Sequence, residues 1–354
     1  MYRIFRPILF RLDAESAHAL TLNALRVVQS VSPALGLLKL LYSARSKPVT
    51  AFGLTFKNPV GLAAGYDKDA LAVQGLGALG FGHIEVGTVT PMPQAGNPKP
   101  RVFRLVDDEA VINRMGFPSR GAEFARKKLN PVRKMSTFDL VLGRRPRKSD
   151  VMLGVNLGKN KSTPNEQAVL DYLSLLETFA PHADYLTINV SSPNTVGLRD
   201  LQGRAALGGL LTQLDAQRRI EEAKHEKRLP LLVKLAPDLT PSELDDALDV
   251  ILQTRMDGVI ATNTTLAREG LRSTRQSESG GLSGSPLRVK SEAVLSQVVK
   301  RVDGRLPVIS AGGIMSPDDA KRRIEMGAAL VQVYTGLVYR GPGLVKQIVR
   351  GLSV

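Results

Sequence analysis

The sequence predicts an α/β fold: a (β/α)8 TIM barrel preceded by a small N-terminal helical extension. Three observations lead to this prediction. Eight short apolar segments recur along residues 49–354, helical patterns follow them, and each ends in a glycine or a polar side chain. Continuously apolar strands are typical of parallel sheets covered on both faces, and eight strand–helix units favour a closed barrel. Residues 1–48 lack this alternation, so we divide the chain into an extension at 1–48 and a barrel domain at 49–354.

The extension is predicted to be helical. Asp13 is a good N-cap, and apolar residues follow it at helical spacing as far as Val31. Ser32-Pro33 then separates this helix from a second, very apolar one. Residues 1–10 mix apolar side chains with arginines, which is typical of a helix lying in a membrane interface. The same pattern suits a helical cap packed on the barrel, and both interpretations stay open.

The barrel strands are predicted from their apolar runs, and the helices from proline or a capping residue at their start. Strands are expected at 60–65, 83–90, 151–158, 185–190, 231–236, 258–264, 307–313 and 330–336. Helices are expected, for example, at 165–179, 241–253, 286–301 and 317–326. Residues 95–110 interrupt the alternation and are expected to form a loop or hairpin after the second strand.

Composition excludes several kinds of site. The chain has no cysteine, so disulfides, thiolate metal sites and a cysteine nucleophile are ruled out, and its four histidines lack metal-binding spacing. No run is long enough to span a bilayer and no secretory cleavage pattern is present, so we expect the protein to work inside the cell. Of the net charge of +15, residues 126–148 supply nine Lys/Arg against one Asp. This basic insertion suits anionic lipid, nucleic acid or a merely soluble surface.

Polar residues are expected to gather at the carboxyl ends of the strands, where barrel enzymes place their chemistry. The fourth strand runs into Asn-Val-Ser-Ser-Pro-Asn at 189–194, which either caps a turn or presents two amides and two hydroxyls to a site. Lys234 on the fifth strand indicates function, because a buried ammonium must be paired or put to use. Glycines after the last two strands and at 280–284 predict a phosphorylated cofactor. Amides and one lysine without metal ligands suit a flavin.

Six segments together resemble the dihydroorotate dehydrogenases of the quinone-dependent, membrane-associated class (class 2). They are Gly-Leu-Thr-Phe-Lys-Asn-Pro at 53–59, Gly-Leu-Ala-Ala-Gly at 61–65 with Asp-Lys-Asp at 67–69, Ile-Asn-Arg-Met-Gly-Phe at 112–117, the 189–194 segment, Ala-Thr-Asn-Thr-Thr at 261–265 and Gly-Gly-Leu-Ser-Gly at 280–284. The resemblance covers essentially the whole chain. It implies oxidation of (S)-dihydroorotate to orotate in de novo pyrimidine biosynthesis, with FMN as hydride acceptor and a membrane quinone as final electron acceptor.

The resemblance also implies roles for individual residues. FMN would be held by Ala64, Gly65, Thr88, Asn156, Asn189, Lys234, Thr262, Gly284, Gly313, Tyr334 and Thr335. Dihydroorotate would be held by Lys68, Asn113, Arg114, Met115, Gly116, Phe117, Asn189, Asn194, Asn263 and Thr264. Ser192 would be the base that removes the C5 proton, and no metal is implied. His18, Arg101 and Tyr334 would line a quinone tunnel under the N-terminal helices.

The class further implies a monomer attached peripherally to the cytoplasmic side of the cell membrane, with no nucleic acid partner. One alternative is the soluble class of the family, which uses fumarate or NAD and carries a cysteine base without N-terminal helices. Another is an FMN-dependent tRNA dihydrouridine synthase, which needs an RNA-binding module and usually a catalytic cysteine. The absence of cysteine argues against both. A non-catalytic binding barrel does not explain why Ser192, Lys68 and Lys234 occur together.

Overall fold

The computed structural model describes residues 2–133 and 151–352. The strands are β1 (Val49–Ala51), β2 (Leu54–Phe56), β3 (Val60–Leu62), β4 (His83–Val89), β5 (Val102–Leu105), β6 (Ala110–Asn113), β7 (Met152–Leu157), β8 (Tyr185–Asn189), β9 (Leu231–Leu235), β10 (Gly258–Ala261), β11 (Gly281–Gly284), β12 (Val308–Ala311) and β13 (Leu330–Val333). The helices are α1 (Tyr2–Arg11), α2 (Ala14–Ser30), α3 (Ser32–Tyr42), α4 (Val73–Gly77), α5 (Ala122–Arg133), α6 (Ala168–Phe179), α7 (Arg204–His225), α8 (Pro241–Gln253), α9 (Arg288–Val302), α10 (Pro317–Glu325), α11 (Thr335–Arg340) and α12 (Leu344–Gly351).

Eight of these strands form the predicted closed parallel barrel, in the order β10–β12–β13–β3–β4–β7–β8–β9. Each of the eight predicted strands is present, which confirms the fold class. Several end earlier than expected: β10 stops at Ala261 and β13 at Val333. The polar and glycine residues beyond these points leave the hydrogen-bonded ladder and line the mouth of the barrel. The predicted strands are therefore too long at the residues that form the site.

A second sheet lies beside the barrel mouth. The segment expected as a loop or hairpin at 95–110 contains β5, which pairs with β6, and β6 pairs in turn with the glycine-rich β11. All pairs are antiparallel, with Gly281 opposite Asn113 and Gly284 opposite Ala110. This long-range pairing brings residues 110–117 and 280–284 to one side of the same opening. The hairpin β1–β2 forms a separate two-stranded sheet.

The N-terminal helices pack on the barrel domain. Asp13 caps α2 by accepting hydrogen bonds from the backbone N–H groups of Glu15 (2.9 Å) and Ser16 (3.0 Å), as predicted. The break at Ser32-Pro33 is also present: α2 ends at Ser30, α3 begins at Ser32, and the two helices are bent by 115°. α2 contacts α4 and β5, and α1 contacts α11. Most of the basic insertion at 126–148 lies outside the described residues.

Candidate active site

A polar cavity of about 140 Å³ opens at the carboxyl ends of the barrel strands. It collects most of the residues proposed from the sequence. Those that line it are Ala64, Gly65, Lys68, Thr88, Asn113, Met115, Gly116, Phe117, Asn189, Ser192, Asn194, Lys234, Thr262, Asn263, Thr264, Gly284, Gly313, Tyr334 and Thr335. They come from more than 270 residues of chain, counting from 64 to 335, and only barrel closure brings them together.

Buried amides form a network on one wall of this cavity. The hydroxyl of Thr88 donates to Asn156 Oδ1 (2.6 Å), and Asn189 Nδ2 donates to Thr88 Oγ1 and Asn156 Oδ1, both at 3.0 Å. Asn156 does not line the cavity but lies behind Thr88 and Asn189. Since each amide has its partner before any ligand binds, the wall is preorganised to present Asn189.

Asn156 is itself held by Glu85, a residue that sequence reasoning did not single out. The Glu85 side chain is fully buried inside the barrel and accepts from Asn156 Nδ2 (2.8 Å), Thr187 Oγ1 (3.1 Å) and Gln332 Nε2 (2.9 Å). Donors from three other strands therefore satisfy one carboxylate, as a buried charge requires. A signal was available in the sequence: Glu85 is the one acidic residue within the apolar run of β4.

Ser192 lies in the loop that follows β8 and is buried. Its Oγ accepts a hydrogen bond from the backbone N–H of Asn194 (3.2 Å), and Asn194 Nδ2 donates to Asn113 Oδ1 (3.2 Å). On the other side Asn263 Nδ2 donates to the hydroxyl of the neighbouring Ser191 (3.0 Å). The Ser192 hydroxyl is thus shielded, and the amides of Asn113, Asn194 and Asn263 line the same cavity, where they can read the edges of a flat ring with imide groups.

Two buried lysines supply positive charge. Burial lowers the pKa of Lys68 to about 8, and its Nζ donates to the carbonyl of Gly65 (2.6 Å). Burial also lowers the pKa of Lys234, and the Glu85 carboxylate opposes that shift. Among the described residues, Lys234 Nζ donates no hydrogen bond, and Glu85 is the charged group that acts on it. A buried ammonium that donates no hydrogen bond to the protein is suited to an electron-rich group of a ligand.

Three glycines allow the backbone to approach the cavity closely. Gly65, Gly284 and Gly313 have φ of +106°, +100° and +73°, which strongly favours glycine at these positions. A Cβ atom on Gly313 would lie 2.4 Å from Arg288 Cα, and one on Gly284 would lie 2.3 Å from the carbonyl oxygen of Glu109. Glycine turns beside the start of α11 are the arrangement in which barrels bind phosphate.

A second, apolar cavity of about 410 Å³ lies under the N-terminal helices. His18 and Tyr334 line it, and Lys68, Asn113, Met115 and Tyr334 line both cavities. The rings of His18, Tyr66 and Tyr334 follow one another edge to face, at centroid separations of 4.7 and 5.9 Å. Burial lowers the pKa of His18 to about 4, so this imidazole is neutral at pH 7.

Two arginines proposed from the sequence do not line either cavity. Arg101 forms an ion pair with Glu15 (2.7 Å) and donates to the carbonyls of Ala95 (2.7 Å) and Asn97 (2.9 Å), so it reaches the apolar cavity only through Glu15.

The Arg114 side chain pairs with Glu278 (2.6 Å) and lies over the ring of Phe103. Arg114 belongs to a motif that lines the polar cavity, but its own guanidinium, like that of Arg101, stabilises the surroundings. Among the residues described, no group of three His, Asp or Glu side chains could hold a metal ion.

No single described helix is long and apolar enough to cross a membrane. Taken together, the bent pair α2–α3 reaches the length and apolar composition of a membrane span.

Comparison with known proteins places this geometry in a family. The family model for dihydroorotate dehydrogenase matches residues 47–354. The "Dihydroorotate dehydrogenase (quinone)" of Halorhodospira halophila is 48% identical over 354 residues, covering 100% of this chain and 98% of that protein. The protein of the same name from Idiomarina loihiensis is 47% identical and covers 99% and 100%.

A solved structure agrees with the sequence comparison. The Eimeria tenella crystal structure of DHODH in complex with ferulenol superposes with a TM-score of 0.80 at 41% identity, covering 91% of this chain and 90% of that one. The family-model match over residues 47–354 includes all eight barrel strands and the residues that line the polar cavity. The chain therefore belongs to the dihydroorotate dehydrogenase family.

Proposed function

We propose that the protein oxidises dihydroorotate to orotate with bound FMN and passes the electrons to a membrane quinone, in pyrimidine biosynthesis. The relatives are named dihydroorotate dehydrogenase (quinone), which supports both the substrate and the acceptor. The single observation that carries the proposal is the pair of adjoining cavities. One is polar, one is apolar, and Lys68, Asn113, Met115 and Tyr334 stand in the wall between them.

The polar cavity fits FMN. Lys234 offers a buried ammonium that donates no hydrogen bond among the described residues. The glycine turns allow a phosphate to approach, and the Thr88–Asn156–Asn189 network offers amides to a ring. Ala64, Thr262, Tyr334 and Thr335 complete the proposed set. When bound, FMN would accept two electrons from dihydroorotate and release them to the quinone.

Dihydroorotate would bind between the 113–117 segment and the loops after β8 and β10. Lys68 supplies an ammonium for the carboxylate, and the amides of Asn113, Asn194 and Asn263 hydrogen-bond the ring. Ser192 Oγ would accept the C5 proton while its own hydroxyl proton is released to solvent water. A serine hydroxyl is a weak base in water, and burial behind the amides excludes the water that would compete for it.

The quinone would enter through the apolar cavity. Large apolar side chains on α1–α3 stay exposed, including Ile4 (72%), Phe5 (57%) and Leu40 (75%), as in helices that lie in a membrane interface. We propose peripheral attachment through residues 1–48 on the cytoplasmic side of the cell membrane. Because the chain has no cysteine, the cysteine base of the soluble class is excluded, which disfavours fumarate or NAD as acceptor.

An absorbance experiment tests this function. The purified protein should be yellow, anaerobic dihydroorotate should bleach it, and a short-chain quinone should restore the colour while fumarate and NAD do not. A yellow protein that dihydroorotate leaves oxidised would remove the substrate assignment. Recovery with fumarate instead of quinone would place the chain in the soluble class.

A further inference from the structure

Arg199 lies beside the active site without lining it. It belongs to the short 3₁₀ helix Leu198–Gln202, which follows the Ser192 loop, and its side chain is only 21% exposed. Its guanidinium contacts three partners: Nε donates to the carbonyl of Ser191 (3.1 Å), one terminal nitrogen to Asp238 (2.9 Å) and the other to the carbonyl of Thr264 (3.0 Å).

These partners come from three consecutive barrel loops. Ser191 immediately precedes the proposed base and follows β8, Asp238 follows β9, and Thr264 follows β10 in the segment proposed to bind substrate. A guanidinium is planar, and its donors have fixed directions. One side chain therefore sets the spacing between the Ser192 loop and the Thr264 loop.

Asp238 anchors this guanidinium. Its carboxylate also accepts from Lys290 Nζ (2.5 Å), Thr265 Oγ1 (2.5 Å) and the backbone N–H of Leu266 (3.1 Å). Burial alone would raise the pKa of Asp238, but the hydrogen bonds from Lys290 and Thr265 hold it below the ordinary value. The carboxylate stays charged at neutral pH, so Arg199 has a fixed counter-ion.

We propose that Arg199 is a positioning residue for Ser192, holding the base and the Asn263–Thr264 substrate loop as one unit. The inference rests on the proposed function, because it needs Ser192 to act as the base. Ser192 Oγ itself is held by one backbone N–H, so its location depends on the backbone that Arg199 restrains through Ser191. Displacing a reacting group by about 1 Å can cost about 100-fold in rate.

The test uses the FMN-loaded full-length protein with Arg199→Ala, Arg199→Lys and Asp238→Asn. Arg204→Ala is the matched control, because Arg204 makes an ion pair of similar length with Asp246 (2.6 Å) on the exposed surface. Anaerobic stopped-flow would measure flavin reduction by dihydroorotate, with and without deuterium at C5. Reoxidation by quinone, orotate affinity, thermal unfolding and hydrogen exchange of residues 191–195 would be measured on the same samples.

Arg199→Ala should slow reduction by about 100-fold and increase the C5 deuterium isotope effect, because proton removal becomes harder. Amide exchange in 191–195 should accelerate, added guanidinium at non-denaturing concentration should restore part of the rate, and quinone reoxidation should stay within twofold of the parent. The rates of flavin reduction by Arg199→Lys, which lacks the planar guanidinium, and by Asp238→Asn should lie between those of the parent and Arg199→Ala. The rate for Arg204→Ala should match the parent.

Two outcomes would overturn the positioning role. One is reduction by Arg199→Ala within threefold of the parent. The other is an equal loss in reduction and quinone reoxidation with lowered thermal stability and an unchanged isotope effect, since that is general damage to the fold. Ser192→Ala, measured in parallel, distinguishes failure of the proposed base from failure of the positioning role. Normal flavin reduction by Ser192→Ala would contradict the assignment of Ser192 as the base. Slow reduction by Ser192→Ala together with normal reduction by Arg199→Ala would contradict only the positioning role of Arg199.

Discussion

The two adjoining cavities are built on opposite principles. The polar cavity is about 140 Å³, and its walls hold hydrogen-bonded amides, glycine turns and two buried lysines. The apolar cavity is about 410 Å³, and its walls are mostly carbon from α1–α3 and the barrel mouth. Two of the polar groups near it carry no net charge at pH 7: Arg101 forms an ion pair with Glu15, and the pKa of His18 is about 4.

This contrast indicates how each cavity selects its ligand. Directional hydrogen bonds penalise any ligand that leaves a buried amide unpaired, so the polar cavity can discriminate strongly between similar rings. An apolar wall gains free energy in proportion to area and tolerates variation in shape. We expect a narrow choice of substrate in the first cavity and a broader choice of quinone in the second.

The largest effect is expected from Ser192→Ala in the polar cavity. Removing the proposed proton acceptor should slow flavin reduction by about 100- to 10,000-fold while the bound flavin spectrum and orotate binding persist. Stopped-flow reduction measures it. Ser192→Cys, which restores an ionisable group, should recover part of the rate; near-normal reduction by Ser192→Ala would contradict the assignment.

Removal of residues 1–40 should disrupt the apolar cavity and leave the polar cavity intact. Flavin reduction by dihydroorotate should continue, while kcat/KM for a short-chain quinone should fall by about tenfold or more, equivalent to about 1.4 kcal/mol of lost interaction. Separate measurement of the two half-reactions distinguishes this from unfolding. Unchanged quinone kinetics would show that the acceptor reaches the flavin by another route.

Lys68 stands in the shared wall, and its pKa of about 8 predicts a pH dependence. Below pH 8 the ammonium is present and would bind the substrate carboxylate; as pH rises through 8 the free protein loses that charge. KM for dihydroorotate should therefore be flat up to about pH 7 and increase towards tenfold per pH unit above 8. Lys68→Gln should show a high KM without this rise, and a parent profile that stays flat to pH 9.5 would refute the role.

The smallest effect is expected from Asp13→Ala. Losing the N-cap of α2 should cost about 1 kcal/mol of local helix stability. KM for quinone should increase a few-fold, with flavin reduction unaltered, because α2 lines only the apolar cavity. Faster amide exchange at residues 14–17 would accompany it. A change confined to dihydroorotate kinetics would contradict the separation of the two cavities.

Sequence reasoning succeeded wherever a residue's role depends on its neighbours in the chain. Asp13, the break at Ser32-Pro33 and the eight strands were predictable because capping, backbone restriction and apolar periodicity are local. It was less accurate for side chains whose partners are distant. Arg101 and Arg114 were both expected at a ligand site, yet their guanidiniums pair with Glu15 and Glu278, far away in sequence.

By itself the sequence determined the barrel, its order of strands and helices, and the polar residues available at the strand ends. It also excluded cysteine chemistry. Only the tertiary structure decided that the Glu85 carboxylate finds its hydrogen-bond donors inside the barrel, that Arg199 joins three loops, and that Lys68 lines both a polar and an apolar cavity. Periodicity records which face of an element is buried, whereas the satisfaction of a buried charge depends on atoms that only folding brings within 3 Å.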